Sequence, residues 1–214
     1  MQERYITTDR AIEILRKKTI RRFEKAKSSI RLAKFDELHV IKTVATLYKN
    51  LDNDFRETML ELAFAIYEEI GEEVSRYGYK DIGKISAKAK KTLVETVLSS
   101  PNSVTKYEYE NEVLRKRDRL SEALRARSDV NSEWRRAVSL WSNMTAQYAD
   151  IVTDETALRA YKDAGVEYVM WVTQEDEKVC EICKPLDGEI FPINEAPDKQ
   201  HWHCRCYLAP IERK

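Results

Sequence analysis

The chain has 214 residues, of which 43% are hydrophobic and 35% charged, with 37 Lys and Arg balanced by 37 Asp and Glu. That length accommodates one ordinary domain plus an appendage and excludes two large domains. Zero net charge excludes a uniformly basic nucleic-acid binder, and no apolar run reaches the length of a membrane-spanning helix.

The amino terminus lacks the basic-then-apolar order of a signal peptide, so the expected compartment is a reducing cytoplasm with no membrane association. From Ile151 onward there are 13 acidic and 8 basic side chains, leaving 29 basic and 24 acidic in residues 1–150. A surplus of this size over so long a stretch reads as solvated helix surface.

The first hundred residues contain no proline and are rich in Glu, Lys, Arg, Leu and Ala, the composition of helices. Thr7-Thr8-Asp9 offers a cap for a first helix reaching Ser28 or beyond, with Ile12, Leu15 and Phe23 apolar. A second helix is predicted from Asp36 to near Gly78. Ile41, Val44, Tyr48, Leu51, Phe55, Leu62, Ile66, Ile70 and Val74 form its stripe, which loosens at Asn50–Asn53. A third, lysine-rich helix is expected from Lys84 to Leu98, with Ile85, Leu93 and Val97 inward. Residues 99–103 make the clearest break, with a new cap at Ser103.

A further helical region then runs to about Tyr148. Its run Arg115-Lys-Arg-Asp-Arg119 offers a weak DNA contact from the helical region, although Asp118 interrupts it and Glu110, Glu112 and Glu122 flank it. Trp134, Val138, Trp141 and Tyr148 form an aromatic face suited to a core or a docking surface. Thr153-Asp-Glu is expected to cap a separate short helix that Gly165 ends. After it come a strand over Val166–Val172 and two shorter strands at Glu189–Ile193 and Cys206–Ile211.

All four cysteines and two of the three histidines fall in the last 35 residues. Cys180-Glu-Ile-Cys183 is followed some twenty residues later by His201-Trp-His-Cys204-Arg-Cys206. A tetrahedral zinc site needs two such pairs, each giving two ligands from one tight turn. Cys180 and Cys183 are the firmest ligands. His201 with Cys204 is the preferred second pair, and His203 with Cys206 is the alternative. If the last strand begins early, Cys204 and Cys206 share one face and Arg205 points the other way. Four protein ligands leave no open position, so Zn2+ is expected to be structural and the protein is not expected to be an enzyme. Glu175, Asp176 and Glu177 read as an acidic turn. About fifty residues of short strands and loops are too few for a self-sufficient core, which is the physical need for the metal.

The expected class is α+β. A predominantly α-helical region, 1–150, precedes a small zinc-stapled, β-rich C-terminal module, 151–214.

The order Gly165-Val166, Trp171-Val-Thr173, Asp176, Val179-Cys180-x-x-Cys183, Leu186-Asp187-Gly188, Phe191 and His201-x-x-Cys204-Arg205-Cys206 resembles the C-terminal signature of phage head morphogenesis proteins. These are minor capsid proteins similar to protein F of phage Mu. The resemblance covers about Gly165 to Pro210. It departs where the family places proline after the histidine, for here stand Trp202 and His203. The aligned first histidine favours His201 as the ligand and leaves Cys206 as the alternative to Cys204. Trp171, Asp187, Gly188 and Arg205 would be structural residues around the site. The resemblance implies a virion or procapsid component, in the host cytoplasm during assembly, that contacts portal, major capsid or scaffold protein and can form a homo-oligomer. The alternative is a zinc-containing protein that binds packaged phage DNA.

Overall fold

The computed structural model describes residues 3–99, 109–128, 130–173, 181–199, 204 and 206–211. Among them are five helices and one small sheet: α1 (Glu3–Leu32), α2 (Glu37–Arg76), α3 (Ala87–Ser99), α4 (Tyr109–Ala126), α5 (Val130–Ala164), β1 (Tyr168–Val172), β2 (Ile190–Pro192) and β3 (Tyr207–Pro210).

Helix α1 buries Ala11, Leu15, Phe23, Ala26 and Ile30 at three- to four-residue multiples, one stripe of an amphipathic helix. A tight turn at Lys34 and Phe35, both with positive φ (51° and 59°), reverses the chain into α2. Asp36 caps α2 by accepting the His39 N–H at 2.8 Å. The two helices run antiparallel, as the pairings Thr7 with Glu69, Arg22 with Asp54 and Ser29 with His39 require.

Helix α2 does not loosen at Asn50–Asn53. Leu51 and Phe55 are both buried there, and Asp52 accepts from the Arg56 guanidinium one turn later at 3.0 Å. Ile41, placed on the stripe from spacing, is exposed because Val40 takes the core position one residue earlier. Helix α3 starts later than Lys84, since Ser86 Oγ accepts from the Ala89 N–H and so fixes the first turn there. Val94 is buried in place of the half-buried Leu93. Most of the expected break at 99–103, including the cap at Ser103, lies outside the described residues.

The largest revision concerns α5. Thr153-Asp-Glu begins no new helix: α5 continues through it from Val130 to Ala164. The Thr153 hydroxyl bonds back to the Ala149 carbonyl at 2.9 Å and meets Thr8 Oγ1 of α1 at 2.8 Å. Its capping group is thus committed to the helix interior and to a tertiary contact. The helix stops at Gly165 (φ 80°), where the Val166 N–H bonds to the Tyr161 carbonyl in a left-handed cap.

The predicted aromatic face is core. Trp134 and Trp141 meet Phe23 and Tyr48 edge-on at 5.6 Å, and Tyr109 stacks on Phe55 at 4.8 Å. Edge-to-face pairs of this kind add to simple area burial. The basic run on α4 is largely neutralised within its own helix. Lys116 Nζ lies 2.6 Å from Glu112 Oε2 with both side chains buried, Arg115 shares that carboxylate, and Arg117 pairs with Asp118. No helix among the described residues is long and apolar enough to cross a membrane.

The sheet has strand order β2-β1-β3, antiparallel throughout. Val169 and Trp171 point inward and alternate with the more open Tyr168, Met170 and Val172. Val169 joins the helical core, whereas Trp171 packs with the cysteines. Edge strand β3 and its flanks are held by tyrosines from three places in the helical region. Tyr5, Tyr161 and Tyr79 donate their hydroxyls to the carbonyls of Cys206 (3.1 Å), Leu208 (3.2 Å) and Ile211 (2.7 Å). These contacts protect a sheet edge that would otherwise pair with another chain. Tyr161→Phe is expected to cost about 1 kcal/mol, read as a lower urea midpoint at unchanged slope.

Candidate metal centre

Two of the preferred candidates, Cys183 and Cys204, converge with the alternative Cys206. The sulfurs of Cys183, Cys204 and Cys206 all lie within 4.8 Å of one another and all three residues are buried. Cys183 precedes a short 3-10 turn, Lys184–Leu186, and its carbonyl accepts the Leu186 N–H. Cys204 and Cys206 stand just before β3 with one residue between them, which brings both thiols to the same side.

The Asp-Gly signature shapes the other wall. Asp187 Oδ1 accepts from the Thr173 N–H at 2.7 Å. Gly188 adopts φ 78° and donates its N–H to the Trp171 carbonyl. A side chain at this φ would be strained, so glycine suits the position.

The sulfurs of Cys183 and Cys204 are 3.6 Å apart. That is far beyond the ~2.05 Å of a disulfide. It is close to the ~3.8 Å edge of a tetrahedron of thiolates at ~2.3 Å from zinc. The charge distribution favours metal binding. A hydrogen bond from the Cys206 thiol, opposed by burial and aided by Lys199 and Cys183, brings Cys204 down to about 5. Cys206 shifts upward because it keeps the shared proton. A thiol lowered in this way yields its proton more readily to an incoming metal. Trp171 Nε1 is buried beside the cluster with no hydrogen-bond partner among the described residues. An orphaned donor at this place suits a site completed by a further group.

Cys180, His201, His203 and Arg205 lie outside the described residues, as do Glu175, Asp176 and Glu177. Any further protein ligand to this cluster from the predicted set would come from among Cys180, His201 and His203.

Beneath the cysteines lies a group that linear spacing does not reveal. Lys199 Nζ contacts the carbonyls of Cys204 (2.6 Å) and Cys206 (3.0 Å), the Tyr5 hydroxyl (3.2 Å) and Asp154 Oδ2 (3.1 Å). Burial opposes its charge, but Asp154, Tyr5 and Asp150 outweigh that and hold it protonated well above the usual lysine range. One ammonium thus joins α1, α5 and the backbone of the cysteine segment.

Half-buried Asp150 nearby is pushed up to about 7 by desolvation, with Lys199 opposing and Asp154, Asp9 and Cys204 reinforcing. A carboxyl raised in the folded state binds extra protons between about pH 4 and 7, so it lowers stability as pH rises through that window. Asp150→Asn is expected to remove a slope of up to about 1.4 kcal/mol per pH unit. Urea midpoints of variant and wild type should converge near pH 4 and separate above about pH 7 in the variant's favour.

No curated protein and no solved structure matches the chain. Residues 108–209 do match the family described as "Phage Mu protein F like protein". The matched stretch carries α4, α5, the sheet up to Ala209 of β3 and the cysteine cluster, and it excludes α1 to α3. The C-terminal part of this chain is thus similar to the family of Phage Mu protein F-like proteins.

Proposed function

We propose that the protein is a minor capsid, or head morphogenesis, protein of a tailed phage or prophage. It acts in procapsid assembly or DNA delivery, through contacts with portal protein and with major capsid or scaffold protein. The observation that carries this reading is the buried three-thiol cluster inside the family-matched segment.

Cys183, Cys204 and Cys206, with Cys180 or His201, would hold one structural Zn2+. Zinc in such a site crosslinks short loops and supplies folding free energy without turnover. Burial and shared hydrogen bonds already bring these thiols together, and Lys199 neutralises the carbonyl dipoles behind them. The helical region offers the larger surface for head proteins.

Two measurements test the reading. Elemental analysis of purified protein should give about one zinc per chain. Co-expression with the portal and major capsid proteins of the same genome should yield portal complexes or procapsids that contain the chain. Metal-free protein with an unchanged near-UV spectrum would remove the zinc staple. Absence from both assemblies would remove the head role.

A further inference from the structure

The zero net charge conceals a sharp segregation. Residues 16–49 carry 11 Lys and Arg against 3 Asp and Glu, so the rest of the chain is acidic by the same margin. Those residues form the second half of α1, the tight turn and the first part of α2. Of the three acids, Asp36 caps α2 and Glu37 pairs with Arg125 of α4. Glu13, Glu57 and Asp54, outside the stretch, pair with Lys17, Lys18 and Arg22, and the other cations of the stretch make no ion pair with a described residue.

Between the two helices lies a cleft of about 280 Å³. Arg22, Lys25 and Ser29 line it from α1, and His39, Lys42 and Thr46 from α2, over a floor of Ala26 and Leu47. No carboxylate among the described residues lines it. Arg22 is held in place by paired bonds to Asp54 at 2.8 and 3.0 Å. His39 Nε2 is 2.9 Å from the Ser29 hydroxyl. Lys25 and Lys42 are exposed, stand on opposite helices and make no ion pair with any described residue. Arg115, Lys116 and Arg117 on α4, in contrast, are engaged by Glu112 and Asp118. Lys25 and Lys42 face one cleft with no counter-charge of their own among the described residues, so they repel each other and Arg22, and an anion seated between them relieves that cost.

We propose that this cleft is a phosphate-binding site and that the cationic face around it takes the phosphodiester backbone of DNA. Two features favour a long polyanion over a small one. On the cleft's side of α1 the cations run from Lys18 through Arg21 and Arg22 to Lys25, about 10 Å at 1.5 Å per residue, which spans about three phosphates of one strand. The donors in the cleft, guanidinium, ammonium and hydroxyl, are those that contact phosphate oxygens without reading bases. Binding is therefore indifferent to sequence and falls steeply with salt. The surface belongs to α1 and α2, outside the family-matched segment, so it stands or falls independently of the metal and of the head assignment.

Fluorescence anisotropy with the full chain and a labelled mixed-sequence duplex of about 20 base pairs tests this. The affinity should fall between about 50 and 200 mM salt with a log–log slope of about −3 or steeper. Lys25→Gln/Lys42→Gln should weaken binding about tenfold or more at constant salt, whereas the control Arg117→Gln/Arg119→Gln should change it less than about twofold. Lys25→Arg/Lys42→Arg keeps the charges and should retain binding, which separates loss of contact from loss of fold. Absence of salt-dependent binding near 50 mM would overturn the proposal, as would equal losses in the two glutamine variants. So would displacement of the duplex by polyglutamate of similar charge at the same concentration, for the surface would then be a site for acidic protein.

Discussion

Cys183→Ala is expected to empty the proposed zinc site and to loosen the cysteine module while the helices stay folded. Cys183 is fully buried and lies 3.6 Å from Cys204, so its sulfur contributes to both packing and the ligand set. If only packing were lost, the cost would be about 1 kcal/mol, as for deletion of a small buried group. Loss of a ligand from a structural site forfeits much of a binding free energy of order 10 kcal/mol. The expected result is metal below about 0.2 per chain, a collapsed near-UV signal from Trp171 and nearly unchanged helical far-UV intensity. Chelation of the wild-type protein should reproduce all three changes. A variant with the packing cost alone, and a wild type without metal, would show that the thiols are a simple core cluster.

The second large effect is expected at Lys199. Replacement by methionine keeps most of the apolar stem but removes the ammonium shared by Asp154, Tyr5 and the carbonyls of Cys204 and Cys206. Asp154 then loses its contact with that ammonium in a poorly solvated place. Removing one partner of a buried pair costs about 3–5 kcal/mol. For a chain of this size that lowers the melting temperature by roughly 10 °C. The double variant Asp154→Asn/Lys199→Met should recover part of the loss, because it removes the stranded charge as well. A double-mutant cycle reads the coupling directly, and a value near zero would mean that the pair contributes nothing beyond its separate parts.

Both residues bear on what could be read from the chain alone. The cysteines were legible because ligand spacing is a local property: Cys183, Cys204 and Cys206 announce themselves by composition and interval. Lys199 was not, since its partners stand at positions 5, 154, 204 and 206 and no periodicity connects them. The same distinction explains the helices. Asp36 as a cap and the stripe from Val44 to Val74 are local signals, and α2 follows them. Thr153-Asp154-Glu155 carries equally good capping chemistry, but Thr153 is occupied by Thr8 and Asp154 by Lys199, so α5 runs on. Tertiary partners outweighed a local preference worth about 1 kcal/mol.

The antiparallel pairing of α1 with α2 has a consequence for reach. Tyr5 touches the backbone of Cys206, whereas Lys25 sits twenty residues further along the same helix. At 1.5 Å per residue the cysteine module and the cationic cleft are about 30 Å apart along that axis. Helix α1 is thus a ruler with one chemistry near its zero mark and another near its far end. Removal of seven residues from the middle of α1, matched by seven from each of α2 and α5, would preserve the buried stripe while drawing the two ends about 10 Å closer. Whatever the protein holds at one end is thereby set at a fixed stand-off from whatever it holds at the other.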